Sequence, residues 1–249
     1  MNRSWLGLAA IMLSLLGCAP ASTNISAAIT PTPRPPLSPE APVATETGRI
    51  EGTTTDGITI KGHTYGTGDV AVILAHMFPA DQTSWTTFAR TLAAKGYKAV
   101  TFDFRGYGDS SGRKEIPLIH RDLMSMLNEV SAAGAKKVFL IGASMGGTAA
   151  IKVASLKDVA GVVTLSAPQS FMRLSAEDDV HKVKAPALYI ACHGDEQPAR
   201  SVRFFEQRSQ GRQEGIILEE CQAHGTDLLQ GPTRDGVEKL ILDFLQENR

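Results

Sequence analysis

The stretch that most constrains this chain is Lys136–Leu156, "KKVFLIGASMGGTAAIKVASL". It opens with an almost unbroken apolar run, the pattern of a strand buried on both faces. It continues as a helix rich in small residues. Between the two lies "GASMG", Gly142 to Gly146, with a serine at the corner. Glycines on both sides allow a turn too sharp for larger residues. The Ser144 hydroxyl then stands clear of the backbone, as a nucleophile must. The bare G-x-S-x-G pattern is common, but its place between strand and helix gives it meaning.

The flanking sequence repeats this alternation. Residues 48–66 alternate polar and apolar around Asp56-Gly57, a hairpin signal. Strands are expected at 70–76, 97–104, 136–144, 159–168, 186–192 and 214–221. Helical spacing appears at 84–96, 116–134, 145–156, 199–208 and 234–248. Strands alternating with helices make an α/β fold, a mostly parallel twisted sheet with helices on both faces. Ligands in such sheets bind beyond the carboxyl ends of the strands. The segment 166–186 is too short for a large lid, which suits small or exposed substrates.

Composition narrows the classes. The 249 residues are 43% apolar and 20% charged, with a formal net charge of -1. That excludes a disordered chain and shows no basic excess for nucleic acid. The first segment stands apart. Residues 1–17 carry Arg3 and then the apolar run "LGLAAIMLSLLG", which reads as a signal peptide. "LLGC", Leu15 to Cys18, resembles the lipobox of bacterial lipoproteins. That resemblance implies cleavage before Cys18 and a lipid on its thiol; the alternative is a plain secretory signal. Residues 18–47 are rich in Pro, Ser and Thr and read as an extended tether. The folded domain is expected over 48–249. The expected location is the cell envelope, anchored by lipid, with the domain outside the cytoplasm and probable monomer behaviour replaced by no partner beyond the membrane and a small-molecule ester.

A serine hydroxyl is a weak nucleophile until a base takes its proton. Six histidines are present. His224 follows the last expected strand at its carboxyl end, in "CQAHGTDLL", and comes after the serine in chain order. It is the candidate base. His63, His120 and His181 lie elsewhere, and His76 reads as a loop anchor.

Four segments together resemble the α/β-hydrolase family: "AHMFPADQTSW" (75–85), "TFDFRGYGDSSG" (101–112), "GASMGG" (142–147) and "AHGTDLL" (223–229). The chain looks closest to compact esterases and dienelactone-hydrolase-like members. The resemblance implies acyl transfer by a Ser-His-acid triad and an oxyanion hole of two backbone N–H groups. One is that of Met145. The other falls in "HMFP", at Phe78, although Met77 stands where glycine is usual and leaves Met77 open as the donor. Arg105 and Asp109 are expected to brace the site. The acid falls in "ACHGDEQ" (191–197). Asp195 is favoured and Glu196 is the reserve; a second family pattern would put the acid at Gln197, which is no carboxylate.

The remaining cysteines, Cys192 and Cys221, lie three residues before Asp195 and His224 respectively. Both are expected at the ends of neighbouring strands, so a disulfide is available, with two buried thiols as the alternative. Neither a recognised zinc spacing nor a cofactor motif appears, so no metal or cofactor is expected. The favoured activity is that of a tethered serine esterase. A serine peptidase or amidase, and a non-enzymatic scaffold, are the alternatives.

Overall fold

A computed structural model describes residues 45–249. The signal peptide, Cys18 and nearly all of the tether lie outside the described residues.

The described chain opens with β1 (Glu46–Thr53) and β2 (Thr59–Tyr65), then β3 (Val70–Ala75), α1 (Thr86–Ala94), β4 (Lys98–Phe102) and α2 (Ile119–Ala132). The elbow follows as β5 (Lys137–Ala143) and α3 (Met145–Ala154). Next come β6 (Gly161–Leu165) and the two-residue strands β7 (Ser170–Phe171) and β8 (Leu174–Ser175). The chain ends with β9 (Ala187–Cys192), α4 (Glu196–Glu206), β10 (Gln213–Leu218) and α5 (Arg234–Glu247).

Eight strands form one sheet in the order β1-β2-β4-β3-β5-β6-β9-β10. The six from β4 to β10 run parallel, and only the β1–β2 hairpin is antiparallel. Register aligns their carboxyl ends. Ala75 pairs with Gly142, Ala143 with Leu165, Leu165 with Ile190, and Cys192 with Leu218. The loops after β3, β5, β9 and β10 therefore emerge along one edge.

Side chains alternate across a strand, so each central strand feeds two cores. Ala71, Ile73 and Ala75 pack with α2, α3 and α4 on one face. Val70, Val72 and Leu74 pack with α1 and α5 on the other. Each large side chain buried this way contributes about 1.5–3 kcal/mol. This double burial explains the continuous apolar runs.

Several boundaries differ from the sequence expectation. β1 starts at Glu46, two residues before the expected domain boundary. α4 starts at Glu196 rather than 199, because Pro198 sits in its first turn, where a missing N–H costs nothing. β10 stops at Leu218, so Cys221 lies beyond the strand and not at its end. Glu219 and the left-handed Glu220 (φ 51°) turn the chain away. Between β6 and β9 the sequence gave no sign of the β7–β8 hairpin.

Candidate active site

Ser144 sits between β5 and α3 with φ 48° and ψ -119°, a backbone state that few non-glycine residues adopt. Its neighbours make the turn possible. A Cβ on Gly142 would fall 2.3 Å from the Gly146 carbonyl oxygen. One on Gly146 would fall 2.3 Å from that of Ala75. The elbow is thus pressed against the end of β3, which brings the Met145 N–H beside the 76–79 loop. Neither the Met145 nor the Phe78 N–H donates to a protein acceptor among the described residues.

The loop after β3 is fixed by His76, which is fully buried. Its Nε2 accepts the Phe104 N–H at 3.1 Å, so Nδ1 carries the proton and donates to the Met77 carbonyl at 2.9 Å. Burial pushes its pKa down and keeps it neutral. His76 is an anchor with both nitrogens committed. The Met77 side chain points toward the base loop, where its Sδ is 3.7 Å from Thr226 Oγ1. Phe78 faces outward, 41% exposed.

The acid and the base come together. Asp195 Oδ2 lies 2.7 Å from His224 Nδ1. Glu196 instead points to solvent, 78% exposed, and meets Arg200 at 3.4 Å. Gln197 lies in the first turn of α4. His193 pairs with Glu219 at the surface. His224 reaches the elbow through Gly225, whose left-handed φ of 59° and missing Cβ admit Met77 Sδ and Ala143. Among the described residues no hydrogen bond joins His224 to Ser144; such contacts often tighten only with substrate bound.

Cys192 and Cys221 are joined by a disulfide with Cα atoms 5.0 Å apart. Two backbone bonds run beside it: His193 N–H to Leu218 O and Gly194 N–H to Cys221 O, each 2.9 Å. The acid and base loops are therefore stitched together three times.

The bracing residues differ partly from those expected. Arg105 is fully buried and structural. Its Nε donates to Asp122 at 2.8 Å and its Nη1 to Asp56 at 2.7 Å. Asp109 has an exposed side chain and contributes only its N–H, at 3.0 Å, to Asp103. Asp103 is the true brace, also accepting the backbone and side-chain N–H groups of Gln82. Sequence reasoning missed it. The available signal was a carboxylate at the end of an apolar strand, followed by Gly108, where a Cβ would strike Asp103 at 2.0 Å. No group of three or more His, Cys, Asp or Glu among the described residues could hold a metal. No helix among them is long and apolar enough to cross a membrane.

A family model described as alpha/beta hydrolase fold matches residues 70–187. Epoxide hydrolase 3 of Siraitia grosvenorii is 37% identical over 97 residues, which cover 37% of this chain and 29% of that protein. Epoxide hydrolase B of Mycobacterium tuberculosis is 35% identical over 104 residues, covering 39% and 28%. The match thus spans less than a third of those relatives' length. An esterase structure from Pyrococcus furiosus superposes with a TM-score of 0.71 at 18% identity, over 82% of this chain and 91% of that one. An esterase from Exiguobacterium antarcticum gives 0.67 at 15% identity, over 80% and 100%. Sheet order, elbow and comparisons agree: the chain has the α/β-hydrolase fold.

Proposed function

We propose that the protein is a serine hydrolase of carboxylic esters, with Ser144 as nucleophile, His224 as base and Asp195 as the acid that orients it. The observation that carries this reading is the 2.7 Å contact between Asp195 and His224, on a loop that reaches the strained serine elbow. Asp195 holds the proton on Nδ1, which leaves Nε2 free to act as base. His224 takes the Ser144 hydroxyl proton as Oγ attacks the ester carbonyl. The Phe78 and Met145 N–H groups stabilise the resulting oxyanion. Collapse breaks the ester bond, and the proton on His224 passes to the departing alkoxide. Water then gives a proton to His224 and adds to the acyl-enzyme. Ser144 Oγ leaves, recovers that proton, and the carboxylic acid departs.

The likeness to epoxide hydrolases favours a second reading, opening of an epoxide. The chemistry at position 144 weighs against it. A serine oxygen that attacks an epoxide carbon forms an ether, which has no carbonyl for water to attack. An acyl-serine is an ester, and the same triad hydrolyses it. The tether and the lipid on Cys18 are proposed on the sequence "LLGC" alone.

Turnover of p-nitrophenyl acetate, fluorophosphonate labelling and styrene oxide opening test these readings together. Esterase activity and labelling, with kcat falling at least about 10⁴-fold in Ser144→Ala, are expected. Opening of the epoxide without ester turnover or labelling overturns the proposal.

A further inference from the structure

The tip of the β7–β8 hairpin is built against backbone preference. Ser170 pairs with Ser175 and Phe171 with Leu174, so the loop is only Met172 and Arg173. Both have positive φ, 46° and 70°. A two-residue turn of that kind favours Asn-Gly or Asp-Gly. Here two long side chains occupy it, and Met172 is 59% exposed. Packing inside the fold does not offset the strain, which is characteristic of positions where a side chain serves a ligand.

The hairpin stands beside the oxyanion loop. The Phe171 ring is 5.8 Å from that of Phe78. Across from it, Lys114 Nζ lies 4.1 Å over the Tyr107 ring, which packs 4.9 Å from His76. Between these two supports runs an open groove of about 670 Å³. Its apolar walls are Ile116, Pro117, Leu118 and Met172. Lys114 and Arg173 lie along the rim, where their stems can cover apolar surface while the charges stay in water. Glu115 also lines it and leans toward Arg105 at 3.7 Å.

The groove and the base approach from opposite faces of the sheet. Ile116, Leu174 and Phe171 belong to the core beneath α2 and α3. Ala223, Leu228 and Met77 belong to the other core. An ester's leaving oxygen must face His224 to receive its proton, so the acyl chain extends away from it. We propose that this groove binds the acyl chain of the ester, an unbranched apolar chain of medium length, with Met172 setting the length preference. This inference rests on the serine-esterase reading.

The test is kcat/KM for p-nitrophenyl acetate, butyrate and octanoate, in the wild type and in Met172→Gly/Arg173→Gly. The double variant relieves the positive φ, so its thermal midpoint should not fall. An open groove that half-buries each methylene gives about twofold per carbon, hence about tenfold from butyrate to octanoate. In the variant the octanoate-to-acetate ratio should drop about fivefold. A flat chain-length profile in an enzyme that hydrolyses acetate overturns the groove, as does an unchanged ratio in the variant. Octanoate binding by calorimetry separates the two failures. With no ester turned over, the serine reading falls. Octanoate that binds the wild type and binds the variant more weakly then upholds the groove, and no binding overturns it.

Discussion

Asp195 Oδ2 lies 2.7 Å from His224 Nδ1, while the neighbouring carboxylate of Glu196 is turned to solvent. Only Asp195 can hold the imidazole tautomer that leaves Nε2 basic. Asp195→Asn should lower kcat for p-nitrophenyl acetate by about 10³–10⁴-fold. Glu196→Gln should change it less than twofold, since its partner Arg200 is equally exposed. Steady-state kinetics on the two variants decide the assignment; a large loss in Glu196→Gln with a mild one in Asp195→Asn reverses it.

The disulfide closes a loop of 29 residues that holds α4 and β10. β10 is an edge strand and only half-buried, so its packing alone holds the base loop weakly. Cys192→Ala/Cys221→Ala should lose about 3.5 kcal/mol by urea unfolding. It should also lower kcat more than it raises KM, because the bridge aligns the base and touches no substrate. Equal kcat in the folded variant would reduce the bridge to a stability role.

Legibility followed burial. β3, β5, β6 and β9 are covered on both faces, so their apolar runs stood out. The elbow was readable because glycines at 142 and 146 are forced by contacts under 3 Å. The Ser144, His224 and Asp195 positions were readable as candidates because each follows a strand. Less was readable where no local pattern exists. The β7–β8 hairpin has two-residue strands and no glycine at its turn. The role of Asp103 depends on Gln82, 21 residues away. Arg105 draws its partners from positions 56 and 122, which only the folded sheet brings together.

That buried cation gives a stability prediction. Arg105 and Asp122 have fully buried side chains, and Asp56 is 27% exposed. Removing one partner of a buried pair strands the other charge, so Asp122→Asn should cost about 3 kcal/mol in urea unfolding. Burial pushes Asp122 up to about 6 in spite of Arg105. The Arg105 guanidinium holds the Asp56 carboxyl well below the usual carboxylate range. A depressed folded pKa stabilises above the unfolded value of 3.8 and loses that contribution as pH falls below it. The stability gap between wild type and Asp56→Asn should therefore be steady from about pH 8 to 5 and shrink below about pH 4. A gap that widens in acid would contradict the pairing.

Gly146 tests whether elbow geometry, and not merely the presence of Ser144, supports catalysis. A methyl there would stand 2.3 Å from the Ala75 carbonyl oxygen and 2.7 Å from that of His76. Both are backbone atoms in a sheet core and cannot swing aside. Gly146→Ala must then push α3 away from the 76–79 loop and separate the Met145 and Phe78 N–H groups. Loss of one oxyanion donor costs about 10²–10³ in kcat, and a similar loss is expected here with Ser144, His224 and Asp195 all intact. Fluorophosphonate labelling should slow in parallel. Wild-type kcat in a folded Gly146→Ala protein would show that the two N–H groups do not act together.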